Sequence, residues 1–528
     1  MTTTAITTNS IGSGPRHTFT ADGDALFITQ GVTVGATSGS ALDGLSFNNL
    51  QVFVSGALLS DQALGFNGTD SQMIVAEGAS LSSLSSSATN LMIRFSGDGG
   101  SLSNYGTMSA PGRVAYVGDN DTSFYNYGVV AAASPALLGL FGAANARMVN
   151  GSSISANDFE DAGQSLRYNN GVLIEGQNNL VSNLAGGTIA AVSAEGAGAR
   201  LYGSAGGSVV KNYGHIESLQ DYGVHLGDVS VGQGLIRIFN WGTIAGGDGA
   251  YIGSANADRL VNRGSLDGDV AMGAGDDTLD NRNGTIEGDV AMGEGDDIYN
   301  GIGGTASGTV LGQGGNDRFF GNALLAEVFD GGDGVDTLDF SLMEAVVVAL
   351  DNSLVASGSA LGDTYSSFEN VFGSNSGDDL IVGSNAANTL FGNGGADVID
   401  GLRGNDVLRG GIGIDTLTGG HGHDSFRFYR TNEFGDKIND FSSAAVGNND
   451  RFQFSTAIGG GLSVGAIDPG EFQVRADNQA QDADDRFIFR TTDRTLWFDE
   501  DGNGAAAALM VADLQAGATV TAGDIFIF

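Results

Sequence analysis

The sequence predicts an all-β chain: a parallel β-helix (solenoid) that runs into a β-roll, followed by a small β-rich C-terminal domain. Three observations predict it. Gly383 to Arg427 divides into nine-residue units, GSNAANTLF, GNGGADVID, GLRGNDVLR, GGIGIDTLT and GGHGHDSFR. Residues 96–311 carry a second, longer repeat with the signature Asn-x-Gly-x-apolar. Glycine is 87 of the 528 residues and proline only 4, without the Gly-X-Y period of a collagen, so the chain turns often and sharply.

In the nine-residue units the sixth position reads Asn388, Asp397, Asp406, Asp415 and Asp424, and the eighth reads Leu390, Ile399, Leu408, Leu417 and Phe426. The glycine-rich half must turn through positive φ and exposes backbone carbonyls. The other half is a short strand with one large inward side chain. Two units make one coil, so equivalent positions lie 18 residues apart. Asp397 and Asp415 then stack on one edge, and Asn388, Asp406 and Asp424 on the other. Stacked carboxylates repel one another unless a cation lies between them. Ca²⁺ suits such an edge, because it is a hard ion that takes roughly six to eight oxygens from carboxylates and carbonyls. The expected carbonyl donors are Gly392, Gly401, Gly410, Gly411, Gly419 and Gly420. This register resembles the RTX (hemolysin-type calcium-binding) family, whose GGxGxDxUx repeat it follows. The resemblance implies a calcium-binding RTX β-roll holding several Ca²⁺ ions.

Composition narrows the partners. Asp and Glu number 62 against 22 Lys and Arg, a net charge of −40, which repels nucleic acid and anionic membranes and attracts cations. There is no cysteine, hence no disulfide framework. No 18-residue apolar stretch occurs, so no membrane span is expected. The start MTTTAITTNSIGSGPR lacks the basic and apolar regions of a Sec signal peptide. The calcium repeats nevertheless point to a secreted protein, extracellular or at the cell surface, since cytosolic calcium is too low for low-affinity sites.

Taken in order, residues 1–95 alternate apolar runs such as ALFITQGVTV and LQVFVSG with turn residues, and read as a β-rich N-terminal region or a solenoid cap. SLSSLSSSATN reads as a turn or loop cluster. Residues 96–311 form the parallel β-solenoid, with 20–28 residues per coil and three short strands per coil. Its signature recurs at Asn104, Asn126, Asn212, Asn240 and Asn262, where asparagine can stack into a ladder and tolerates αL at a corner. Pro135 to Met148 does not fit a rung and reads as a short helix or loop extruded from one. DVAMGAGDD and DVAMGEGDD, 20 residues apart, and then TVLGQGGND, put calcium turns on one edge, with Asp276, Asp277, Asp296, Asp297 and Asp317 as ligands. A solvated acidic corner is the alternative there.

Residues 312–427 are expected to be the roll, with an insert at 340–372. GGDGVDTLD places Asp333 and Asp336 in a turn before the insert. Repeats restart at Gly373 with one extra residue around Asp378 and Asp379, read as a bulge. The insert resembles a spacer common in RTX proteins.

Residues 428–528 are dense in Phe and β-formers. Asp436-Lys-Ile438-Asn-Asp440-Phe441 and Phe498-Asp-Glu-Asp-Gly-Asn-Gly504 resemble the C-terminal domain of serralysin-type RTX proteins. That resemblance implies export by a type I ABC secretion apparatus that reads an uncleaved C-terminal signal. Asp499, Asp501 and Asn503 have alternating ligand spacing, but Met510 stands where an EF-hand needs Glu, so a tight hairpin is expected.

The sequence carries little that points to catalysis. The histidines are His17, His215, His225, His421 and His423, and none lies in an HExxH, so the serralysin protease is excluded. Gly461-Leu-Ser-Val-Gly465 matches GxSxG at the frequency expected by chance. Tyr222-Gly-Val-His225 lacks the Tyr-Gly-x-Asp-Pro-His core of alginate epimerases. Two classes remain. One is a non-enzymatic extracellular structural protein: an S-layer, filament or matrix subunit, or an adhesin. It would assemble as a homo-oligomer, lattice or filament, with a cell-surface polysaccharide as a further partner. The alternative is an extracellular polysaccharide lyase or epimerase on the β-helix.

Overall fold

The computed structural model describes residues 1–528 apart from 63, 85–90, 112, 118–119, 133–137, 141–143, 157–169, 175, 193–195, 204, 322–326, 354–356, 359–361 and 445–447. Among the described residues there is no α-helix, only strands and four short 3₁₀ turns. The chain divides into two units, Met1–Ile298 with Gly304–Gly308, and Tyr299–Gly303 with Thr309–Phe528.

The first unit is a stack of rungs with three parallel sheets. Its first sheet pairs Ser101–Asn104, Ser123–Asn126, Arg147–Asn150, Leu180–Asn183, Val209–Asn212, Ile236–Asn240 and Asp258–Asn262 in strict register. Side chains alternate in and out along each strand, so one register column is continuous core. In this sheet the column is Leu102, Phe124, Met148, Val181, Val210, Ile238, Leu260 and Leu279; in the second it is Met108, Val130, Ile154, Ile189, Ile216, Ile244, Leu266 and Ile286, all buried. Rungs begin at Thr3–Ile6, which pairs in parallel with Ala25–Ile28, so the first 95 residues are built like those that follow.

Two residues after each first-sheet core position stands a buried asparagine. Asn104, Asn126, Asn150, Asn183, Asn212, Asn240, Asn262 and Asn281 form one ladder in which each Nδ2 donates to the next Oδ1 at 2.8–2.9 Å. Each coil buries one amide, and the ladder satisfies it. The reason for asparagine is this stacking and not αL, because none of the eight has positive φ. The glycine two residues on is fixed by close approach: a Cβ on Gly242 would lie 2.0 Å from the Gly214 carbonyl oxygen. Between Asn and Gly the side chain points outward, where Tyr105 stacks on Tyr127 at 5.4 Å and Tyr213 on Trp241 at 4.6 Å.

Three expectations are corrected. Leu138–Leu140, inside the stretch expected to leave the rung, is a strand paired in parallel with Arg113–Val117 and Val172–Ile174; the rest of its apolar run lies outside the described residues. Ser80–Ser83, expected as loop, is a strand with Leu81 buried, because the period-2 inward position outweighs serine's turn preference. Coils also vary more than 20–28 residues: the Asn ladder steps by 19 from Asn262 to Asn281 and by 33 from Asn150 to Asn183.

The second unit contains the roll. One face stacks Asn370–Phe372, Thr389–Gly394, Val407–Ile412, Ser425–Phe428 and Arg451–Phe454; the other stacks Val346–Ala349, Leu380–Val382, Val398–Asp400, Thr416–Thr418 and Asp436–Ile438, all in parallel. Leu390, Ile399, Leu408, Leu417 and Phe426 fill the narrow interior between the faces. The C-terminal segment builds directly onto both faces: Leu509–Leu514 pairs with Asp436–Ile438, and Ile525–Ile527 with Arg451–Phe454. Thr495–Phe498 and Leu509–Leu514 form the expected hairpin, but its 499–508 loop is longer than a tight turn and is closed by Asp501 Oδ2 accepting from the Ala505 and Ala506 N–H groups.

Candidate metal centre

The four nine-residue units from Gly392 to Arg427 each enter their turn through two left-handed residues. The second position has positive φ in Asn393 (71°), Leu402 (66°), Gly411 (109°) and Gly420 (94°), and the fourth in Gly395, Gly404, Gly413 and Gly422. The reversal brings the sixth-position side chain inward, and successive coils bring these side chains into two ladders. On one edge Asp379 N–H donates to Asp397 Oδ1 (2.8 Å), Asp397 N–H to Asp415 Oδ1 (2.8 Å) and Asp415 N–H to Asp436 Oδ1 (3.1 Å). On the other, Asn388 donates to Asp406 (2.7 Å), Asp406 to Asp424 (2.9 Å) and Asp424 to Asp450 (3.1 Å).

These bonds use one oxygen of each carboxylate. The Oδ2 atoms of Asp397, Asp406, Asp415, Asp424 and Asp436 are buried without a hydrogen-bond partner. A buried carboxylate oxygen left unpaired costs free energy, so each asks for a cation. The nearby Arg409 is spent on Glu433, with Nη2 2.7 Å from Oε1. Burial first, and then neighbouring carboxylates, push Asp397 and Asp406 up to about 7 and Asp436 up to about 9, while Asp379, Asp415 and Asp424 are also raised.

The first-position glycines explain how an ion would fit. A Cβ on Gly392 would stand 2.1 Å from Asp397 Oδ2 and 2.7 Å from the Gly410 carbonyl oxygen; on Gly401 it would stand 2.5 Å from Asp406 Oδ2 and 2.6 Å from the Gly419 oxygen. Glycine thus keeps a carboxylate oxygen and the next coil's carbonyl oxygen together at one open point. Among the described residues no three His, Cys, Asp or Glu side chains converge as a metal cluster. An ion here would take much of its shell from backbone carbonyls, which is what a hard, large cation accepts.

The family model of the RTX calcium-binding nonapeptide repeat (4 copies) matches residues 374–408 and 402–428, the same turns. These turns are RTX repeats. Repeats of this kind bind calcium ions, and proteins that carry them are typically secreted. No curated protein matches the chain.

The RTX ladders sort the residues expected from sequence. Asn388, Asp379, Asp397, Asp406, Asp415 and Asp424 lie in them. Gly392, Gly401, Gly410 and Gly419 sit at the first position beside the carboxylates, and Gly411 and Gly420 supply the left-handed turn. Asp378 stands apart: it is exposed and accepts the Ala396 N–H at 2.7 Å, because the extra residue of that unit shifts Asp379 into the ladder. Before the insert, Asp317 N–H donates to Asp336 Oδ1 at 2.7 Å, and the Oδ2 of Asp336 is buried without a partner, whereas Asp333 is exposed. In the first unit Asp277 and Asp297 are buried, while Asp276 and Asp296 face outward, the Asp296 N–H donating to Asp276 Oδ1 at 3.0 Å.

Sequence reasoning missed Asp258, Asp436 and Asp450, whose units lack the GGxG half. The signal that finds them is shorter: an Asp two residues before a buried apolar side chain, as in Asp258/Leu260, Asp436/Ile438 and Asp450/Phe452.

Proposed function

We propose that the chain is a secreted, non-enzymatic calcium-binding RTX protein that folds and assembles outside the cell, as a structural subunit or adhesin of the cell surface. The observation that carries this reading is the pair of carboxylate ladders with unpartnered buried oxygens. Calcium would be held by Asp397, Asp406, Asp415, Asp424 and Asp436 together with first-position glycine carbonyls. It would supply positive charge where like charges stack. Below millimolar calcium the roll is self-repelling and open, which suits passage through a type I secretion apparatus. Outside, where calcium is near millimolar and modules of this class bind with dissociation constants of about 10⁻⁴–10⁻³ M, it closes. The net charge of −40 opposes contacts between copies until calcium offsets part of it.

The cluster around His225 supports the non-enzymatic side of this reading. His225 Nδ1 lies 3.2 Å from Asp221 Oδ1, and its Nε2 lies 3.2 Å from Nη1 of the buried Arg200, which also reaches Asn170 Oδ1 at 3.1 Å. Both ring nitrogens are engaged within the protein, so the imidazole has no nitrogen turned to a sugar. Light scattering and electron microscopy of the full chain, in chelator and at millimolar calcium, test the proposal. Calcium-dependent particles larger than one chain are expected, and a strictly monomeric species in both conditions would refute assembly.

A further inference from the structure

We propose that the three-sided solenoid holds a calcium site of its own, outside the matched repeats, between Asp258 and Asp277. This rests on the reading that such ladders take calcium, and extends it to a unit whose fold is not a roll.

The corner repeats the roll's geometry. Asp258 N–H donates to Asp277 Oδ1 at 2.7 Å, and Asp277 N–H donates to Asp297 Oδ1 at 2.7 Å. The turn between them passes through positive φ at Gly273 (111°) and Gly275 (109°), the second and fourth positions, as at Gly411 (109°) and Gly413 (155°) in the roll. Met272 occupies the first position in place of glycine, which takes this turn away from the nonapeptide pattern.

Asp258 and Asp277 are each 1% exposed, and Oδ1 of Asp258 and Oδ2 of Asp277 have no hydrogen-bond partner. A third group is independent of the ladder. Tyr251 is fully buried on the neighbouring strand Gly249–Ile252, and its hydroxyl also has no partner. It lies close enough to Asp258 and Asp277 to feel the charge of both. Three buried polar oxygens, on the strand Gly249–Ile252, on the strand Asp258–Asn262 and just before the strand Thr278–Asp280, thus have no hydrogen-bond partner, and a hard cation that accepts mixed oxygen ligands would satisfy them.

Where the ladder starts is also marked. Ser254 N–H donates to Asp258 Oδ2 at 2.7 Å, so one oxygen of this carboxylate is engaged within its own turn. The roll's two ladders begin the same way, Ser374 N–H on Asp379 Oδ2 at 2.7 Å and Ser384 N–H on Asn388 Oδ1 at 2.7 Å. Serine at the second position of a unit thus marks the first member of each ladder, and the site proposed here lies between the first two members of this one.

The test counts calcium bound to the full chain by equilibrium dialysis, for the wild type, Asp277→Asn and Asp406→Asn. The amide side chain of the first variant would keep the hydrogen bond from the Asp258 N–H but remove the charge. Asp277→Asn is expected to bind at least one ion fewer than the wild type, by a loss separate from that of Asp406→Asn. An unchanged count in Asp277→Asn beside a reduced count in Asp406→Asn overturns this site and leaves the roll reading standing. Unchanged counts in both overturn the two together. In the wild-type chain, amide exchange at Asp258 and Asp277 should slow on adding calcium; equal exchange with and without it would also overturn the site, without any variant that must fold.

Discussion

The backbone N–H of Asp397 donates to Oδ1 of Asp415, one coil further on, at 2.8 Å, and the other oxygen of Asp415 is buried with no partner. One residue therefore both holds the coil spacing and carries an unmet negative charge. Structure and ion demand are the same contact, and the predictions follow from separating them.

Asp406 separates them by substitution. Asp406→Asn keeps an acceptor for the Asn388 N–H and removes a charge, so in chelator it should leave stability unchanged or raise it. At millimolar calcium it should be the less stable protein. Asp406→Ala also orphans the buried Asn388 N–H of the closed roll and should cost about 1–3 kcal/mol more than Asp406→Asn at millimolar calcium. Urea melts of both variants, with and without calcium, read the crossing. An Asn variant that is destabilised equally in both conditions contradicts it.

Gly392 tests the space beside the carboxylate. Its φ is not left-handed, so alanine is conformationally allowed there, yet the new Cβ would meet Asp397 Oδ2 at 2.1 Å and the Gly410 oxygen at 2.7 Å. Gly392→Ala should weaken calcium binding on that edge about tenfold or more, which is about 1.4 kcal/mol. Calorimetric titration checks this, and wild-type affinity would show that no ion uses that point.

Protons should substitute for calcium. Burial raises Asp397, Asp406 and Asp450 from 3.8 to about 7, and Asp277 and Asp436 to about 9, so the folded state binds more protons than the unfolded chain. The sign follows: without calcium, stability is greatest near the ordinary carboxylate value and falls as pH rises through about 7 and on toward 9. Circular dichroism in chelator should show more β structure at pH 5 than at pH 8. More structure at pH 8 would reverse the sign. Asp280 does not oppose this window, because hydrogen bonds from Arg282 and Arg263 outweigh its burial and hold it well below its usual range.

The asparagine ladder should be indifferent to calcium. Asn212 accepts from Asn183 Nδ2 and donates to Asn240 Oδ1 and the Thr243 oxygen, each at 2.8 Å. Asn212→Ala should cost about 1–3 kcal/mol in the first unit by leaving buried groups unpaired. The loss should be equal in chelator and in calcium, as read by exchange of the amides around it.

The parts of this molecule that are legible in the sequence are those where one position repeats one chemistry. The 18-residue stacking of Asp397 with Asp415 and of Asp406 with Asp424 follows from spacing alone. The ladder members Asn150, Asn183 and Asn281 do not, because the repeating element is only the buried amide two residues after an apolar one, and the Asn-x-Gly signature is narrower than that. Asp378 is indistinguishable from Asp379 in a Gly-Asp-Asp run, since only the turn decides which of two adjacent carboxylates points inward. Leu138–Leu140 is hidden because an apolar run of that length has no period to separate helix from strand.

The central claim is that the roll closes on calcium. Amide hydrogen exchange of the full chain, in excess chelator and at millimolar calcium near pH 7.5, tests it most directly. The N–H groups of Asn388, Asp397, Asp406 and Asp415, each bonded to the next carboxylate, should exchange freely in chelator and be strongly protected in calcium. Full protection of all four in chelator would mean that the ladders stand without an ion and would contradict the account.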